Sequence, residues 1–101
     1  MDLNLVIKAL GNPMRMQILN WLKAPKQNFP VESQLVDADV DGVCVSIIQE
    51  KSGLSQSTIS VYLATLQRAG LVNAKRIGPW TYYQRDEQNI KLFLSQLELQ
   101  L

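Results

Sequence analysis

Ile59, Leu63 and Leu66 make one apolar stripe at helical spacing, and directly after Gly70 the period of the chain changes from that of a helix to that of a strand. Ser55 is suited to cap the start of this helix and Gly70 to close it, which predicts a helix over 56–69. The next segments, VNAKRI and TYYQR, are strand-like and flank the turn Gly78-Pro79-Trp80, so a β-hairpin is expected. Upstream, VCVSIIQEKS over 43–52 places Val43 and Ile47 on one face and stops at Gly53. It reads as a short helix, with a strand as the competing assignment for so short an apolar run. Short helix, turn at Gly53-Leu54, second helix and hairpin together leave few architectures open.

The remainder is helical at both ends. Leu3, Val6, Ile7 and Leu10 share a stripe, with Leu5 on the other side, and Gly11 ends that helix. Asn12 as N-cap and Pro13 at the first helical position start the next, whose buried face is Met14, Ile18, Trp21 and Leu22 with Leu19 on the flank. It stops before Ala24-Pro25, because the residue preceding a proline resists the helical region. Residues 24–42, with Pro25, Pro30, a run of acids and Gly42, suggest a long exposed connection containing at most a short strand or turn. A last helix over 88–101 carries Ile90, Phe93, Leu94, Leu97 and Leu101 on one stripe, with Leu92 and Leu99 nearly opposite. The expected fold is α+β and mostly helical, in the order α-α-α-α-β-β-α. It is one domain of 101 residues: connection 24–42, helix-turn-helix 43–70, hairpin 71–86 and terminal helix 88–101.

Several function classes are disfavoured. With no histidine in the chain, the commonest general base and the commonest metal ligand are both missing, so neither catalysis nor a cofactor is expected. Cys44 is the only cysteine and cannot close a disulfide within the chain; together with the absence of a signal-peptide pattern in MDLNLVIKAL, it points to the cytoplasm. No apolar run approaches the roughly 18 residues of a membrane span. The net charge of +1 is neutral in sum but not in distribution. Lys51, Arg68, Lys75, Arg76 and Arg85 fall in a stretch without acids, and Glu32, Asp37, Asp39, Asp41 and Glu50 in a stretch without bases. Such a chain can present a positive face to a polyanion.

On a wheel of about 100° per residue, Ser57, Ser60, Val61, Ala64 and Arg68 lie opposite the buried stripe of the 56–69 helix. That face is small and polar where a recognition helix enters the major groove. Gln56 suits adenine, the serines donate or accept, and Val61 suits a thymine methyl, while Thr58 and Tyr62 at the edges suit phosphates. The plainer alternative is an ordinary surface helix, but hydroxyl-rich residues are mediocre helix formers and need another reason to cluster here. The hairpin adds Lys75 and Arg76 before its Gly78-Pro79-Trp80 tip and Tyr82, Tyr83 and Arg85 after it, a mixture of cations and aromatics suited to phosphate and minor-groove contact. Arg15, near the start of the second helix, is a further candidate phosphate contact.

LGNPMRMQIL, GLSQSTISVYLATLQRAGLV and KRIGPWTYYQRD resemble the winged-helix repressors of the ArsR/SmtB family, over about residues 10–86. The resemblance implies a homodimer built by the first and last helices, a recognition helix over 56–69 and a wing over 75–85. It also implies binding to an inverted repeat in double-stranded DNA, released by a signal. Two apolar faces on each terminal helix agree, so Leu3, Val6, Leu10, Phe93, Leu94, Leu97 and Leu101 are the expected dimer contacts. Metal-sensing relatives often carry Cys-Val-Cys-Asp in the first helix of the motif, whereas GVCVSII keeps only Cys44, with Ser46 and Ile47 following. No metal site is expected, and the sequence leaves open whether there is a small-molecule or redox inducer.

Two features invite other readings. Asp37, Asp39 and Asp41 match the opening of an EF-hand loop, but the twelfth position is Ile48 rather than glutamate. Cys44 is a redox candidate, although Val43 and Val45 supply no cation to lower its pKa. The alternative function is a winged-helix module that docks a protein through the same hydroxyl face.

Overall fold

A computed structural model describes all residues 1–101. Two N-caps organise the amino-terminal helices. Asp2 accepts from the Asn4 and Leu5 N–H groups to start α1 (Leu3–Leu10), and Asn12 accepts from Met14 and Arg15 at 2.9 and 3.0 Å to start α2 (Pro13–Trp21). Each bond satisfies donors that a helix cannot satisfy itself. Arg15 turns back to the end of α1, its Nε donating to the Ala9 carbonyl at 2.8 Å and its Nη2 to that of Lys8 at 3.0 Å. A cation at a helix C-terminus also meets the negative end of the helix dipole.

The connection over 24–42 is not the exposed, irregular segment expected. It contains α3 (Pro25–Asn28), a 3-10 turn (Val31–Ser33) and α4 (Ala38–Asp41), and it buries Phe29, Val31 and Ala38 in the core. Phe29 packs edge-on to Trp21 with ring centres 6.0 Å apart. Asp37 caps α4, and Lys26 bridges Asp37 and Asp39 at 3.1 and 3.2 Å. The bond to Asp37 raises the Lys26 pKa, and the Asp39 N–H lowers that of Asp37. Three scattered apolar residues without helical period gave no sign of this in the sequence.

A second correction follows at 43–44. Val43–Cys44 is a strand, β1, and the helix α5 (Val45–Ser52) begins two residues later than predicted. The pair is claimed by the hairpin: β2 (Val72–Ile77) and β3 (Trp80–Arg85) pair antiparallel, and β1 adds to β3 with Val43 opposite Tyr83 and Cys44 opposite Tyr82. The sheet order is β1-β3-β2. Gly53, in the left-handed region at φ +70°, ends α5; Ser55 caps α6 (Gln56–Arg68), and Asp86 caps α7 (Glu87–Gln100).

The core lies between α1, α2, α5, α6, α7 and the inner side of the sheet. Ile18, Ile48, Ile59, Leu63, Leu66 and Leu71 are its largest fully enclosed aliphatic side chains. Val6 and Phe93 belong to it too, which corrects their expected place at a subunit interface: they are 0% and 5% exposed in the single chain. Both lie on the inward stripe of their helices, where the helical period alone does not distinguish core from contact surface.

Gly42 joins the connection to the sheet. Its φ of +97° is a conformation open essentially to glycine, and a Cβ there would collide with the Tyr83 carbonyl. A Cβ at Gly53 would meet nothing. Gly42→Ala is therefore expected to lower the unfolding free energy by about 3 kcal/mol and Gly53→Ala by about 1 kcal/mol, read from urea denaturation. Equal losses would contradict the close approach at Gly42.

Candidate nucleic-acid interface

α6 has two unlike sides. Ile59, Leu63 and Leu66 are fully buried, whereas Gln56, Ser57, Ser60, Val61, Ala64 and Arg68 are exposed. Val61 keeps 61% of its surface in water. At the amino end the hydroxyls are linked. Ser55 Oγ accepts the Thr58 N–H at 3.2 Å and donates to Thr58 Oγ1 at 3.0 Å, with Ser57 Oγ 3.2 Å away. Gln56 and Ser60 stand outside this network.

Tyr62 and Arg15 have been drawn into the scaffold. The Tyr62 hydroxyl accepts from Asn12 Nδ2 at 3.2 Å, and the Arg15 guanidinium lies 5.3 Å from the centre of its ring. The structure thus places Arg15 among two α1 carbonyls and an aromatic face, clamping α6 to the junction of α1 and α2. The contribution of Asn12 to this clamp carried no sequence signal, since its capping role accounts for it fully.

On the hairpin, the expected set of cations and aromatics divides. Arg76 is exposed and makes no ion pair, and Trp80 at the tip is also exposed. Lys75 Nζ lies 2.6 Å from Asp41 of α4. Arg85 faces inward, engaging Glu87 at 3.0 to 3.1 Å and donating from Nη1 to the Leu19 carbonyl. Tyr82 is buried on the outer face of the sheet, Tyr83 is half-buried against the core, and burial raises the pKa of both. Folding also brings the acidic stretch against the basic one at the Asp41–Lys75 pair, so the segregation of charge along the sequence is only partly kept in space. Arg68 and Arg76 remain unpaired, and Lys51 lies over the Trp21 ring.

Cys44 is buried, with its Sγ 3.3 Å from Ser46 Oγ. No three histidine, cysteine or carboxylate side chains gather to hold a metal, and no helix is long and apolar enough to cross a membrane. Asp37 and Asp39 serve Lys26 and the α4 cap rather than a loop.

A short helix and turn, a second helix buried on one side and small and polar on the other, and a cationic two-stranded ribbon beside it define a winged helix-turn-helix DNA-binding protein. Residues 43–74, from β1 into β2, match the family model described as bacterial regulatory protein, arsR family. The chain is 54% identical over 86 residues to the uncharacterized HTH-type transcriptional regulator YbzH of Bacillus subtilis strain 168, covering 84% of each protein. It is 35% identical over 82 residues to a Halobacterium salinarum protein bearing the name of an arsenical resistance operon repressor, ArsR2, covering 81% of this chain and 57% of that one. Among solved structures, HlyU from Vibrio cholerae N16961 superposes with a TM-score of 0.63 at 28% identity, over 92% of this chain and 84% of that one. The chain belongs to the arsR family of bacterial regulatory proteins: it is a DNA-binding transcription regulator and not an enzyme.

The Asp41–Lys75 pair yields a direct test. Asp41→Asn removes the competing carboxylate and should raise affinity for any DNA sequence about threefold, steepening the log–log salt dependence by about one. Stability should change by less than about 1 kcal/mol, because the pair is solvent-exposed. Unchanged DNA affinity, measured by fluorescence anisotropy at low salt, would show that Lys75 does not face DNA.

Proposed function

We propose that the whole chain acts as one DNA-binding domain, a cytoplasmic repressor that binds an inverted-repeat operator as a homodimer. The observation that carries this reading is the exposed stripe of Gln56, Ser57, Ser60 and Val61, set opposite the three side chains that fix α6 in the core. In the bound complex this stripe reads base edges, Thr58 and Tyr62 flank it, and Lys75 and Arg76 hold phosphates from the wing. Arg15 assists through the Tyr62 ring it holds rather than as a leading phosphate contact. The name of the halobacterial relative supports repression.

The dimer reading rests on the terminal helices. With Val6 and Phe93 in the core, the surface left for a second copy is Leu3, Leu10 and Leu97, all half-buried, together with Leu94, Leu101 and the outward Leu5, Ile7, Leu92 and Leu99. Leu99 and Leu101 are 87% and 96% exposed at the end of α7, which a second copy would cover.

Ser57→Ala combined with Ser60→Ala should weaken binding to a selected operator about tenfold while leaving binding to a scrambled duplex and the helical circular dichroism unchanged. Wild-type affinity in that variant would remove α6 from the role of reader. A salt titration separates the alternative: steep log–log dependence marks phosphate contact, whereas a shallow one with no sequence preference would indicate a protein-docking module.

A further inference from the structure

Three helices meet at two side chains. Asn12 spends its Oδ1 on the Met14 and Arg15 N–H groups at the start of α2, and its Nδ2 on the Tyr62 hydroxyl of α6, 3.2 Å away. Arg15 spends Nε and Nη2 on the Ala9 and Lys8 carbonyls and sets its guanidinium over the Tyr62 ring. No carboxylate pairs with this half-buried cation. An arginine engaged by two main-chain carbonyls and an aromatic face, with no counter-ion, fixes geometry through its planar fork.

Both carbonyls belong to the last turn of α1, where a helix leaves acceptors without partners of its own. The Lys8 carbonyl also takes the Gly11 N–H. Four residues after Ala9 stands Pro13, which has no N–H to give, so Arg15 supplies the donor. α1 is a rod of two turns joined to α2 by Gly11 and Asn12 alone, and Arg15 grips its carboxyl end. Val6 and Ala9 seat the rod in the core, while Leu5 and Ile7 face water. On α6, Tyr62 directly follows Val61 and Ser60, so the ring and the exposed stripe turn together about the helix axis. Groups that read a rigid partner must hold their positions to within about 0.5 Å.

We propose that Arg15 is a positioning residue through which α1 sets the aim of α6, so that subunit association and operator reading are energetically coupled. The inference rests on the reading above that α1 contributes to a contact between two copies. A second copy pressing on Leu5 and Ile7 fixes the position of α1. Arg15 passes that position to the Tyr62 ring, and α6 then presents Ser57, Ser60 and Val61 in one orientation. Linkage makes the coupling reciprocal: an operator held by α6 favours the associated form by the same factor.

The test on the whole protein has two arms. In the first, Arg15→Ala and Arg15→Lys are titrated by anisotropy against a selected operator and a scrambled duplex. Lysine keeps the charge but has neither the fork nor the plane. Both variants should weaken operator binding about tenfold, with scrambled-duplex affinity and the salt slope as in the wild type. Rescue by lysine, or equal loss on both duplexes with the slope lowered by about one, would mark Arg15 as a phosphate contact and overturn the positioning role. The second arm uses no DNA. Ile7→Glu, on the outward side of α1, should separate the subunits in sedimentation. In that variant the Ser60 and Val61 amide signals should move in NMR spectra, and the Arg15 Nε–H should exchange with water at least about fivefold faster. Unmoved α6 signals in the separated chains would overturn the coupling, as would an Ile7→Glu variant that stays associated. A wild-type chain that sediments as a monomer would remove the subunit reading itself, a failure seen before any variant is made.

Discussion

The orientation of α6 depends on burial of Ile59, Leu63 and Leu66. Each removes an aliphatic side chain from water, worth about 1.5 to 3 kcal/mol apiece, and together they leave the helix one way to face. The opposite stripe of Gln56, Ser57, Ser60 and Val61 is outward as a consequence and not by any contact of its own. Rotation about the helix axis is then restrained by Tyr62, held between Asn12 and Arg15. The surface proposed to read DNA is thus aimed by side chains on the opposite side of its helix.

The connection before β1 changes how the wing should be viewed. α4 delivers Asp41 to Lys75, and the Gln34 side chain joins the connection to β1, the strand paired with β3. The wing therefore leans on the connection at two points, one electrostatic and weakened by salt, the other reached through β1 and held by hydrogen bonds between the Gln34 side-chain amide and the main chain, which salt hardly affects. Gly42 lies between them, its backbone too close to Tyr83 for any larger residue.

Much of this was legible in the sequence. The α6 stripe, the caps at Asn12 and Ser55, the stop at Gly53 and the change of period after Gly70 all follow from local physics, and the structure follows them. What was hidden depends on distant partners. Val43 and Cys44 become strand because β3 offers a free edge, and a two-residue strand has too little pattern to show. Phe29, Val31 and Ala38 reach the core without a period, and Arg85 is turned inward by Glu87 and a carbonyl from α2. Val6 and Phe93 were read on the correct stripe, but the stripe does not say whether the apolar neighbour is the same chain or another.

The hydroxyl network at the start of α6 also bears on how such a protein can change its taste for DNA. Ser55 and Thr58 hold the first turn together, so replacing either disturbs the helix along with whatever it reads, while Ser57 shares only an oxygen contact with Ser55. Gln56, Ser60 and Val61 carry no such duty; their side chains can be exchanged while caps and core stay whole. Divergence among descendants of this chain should therefore run through those three positions first, with Ser57 lagging because its chemistry is answerable to two masters.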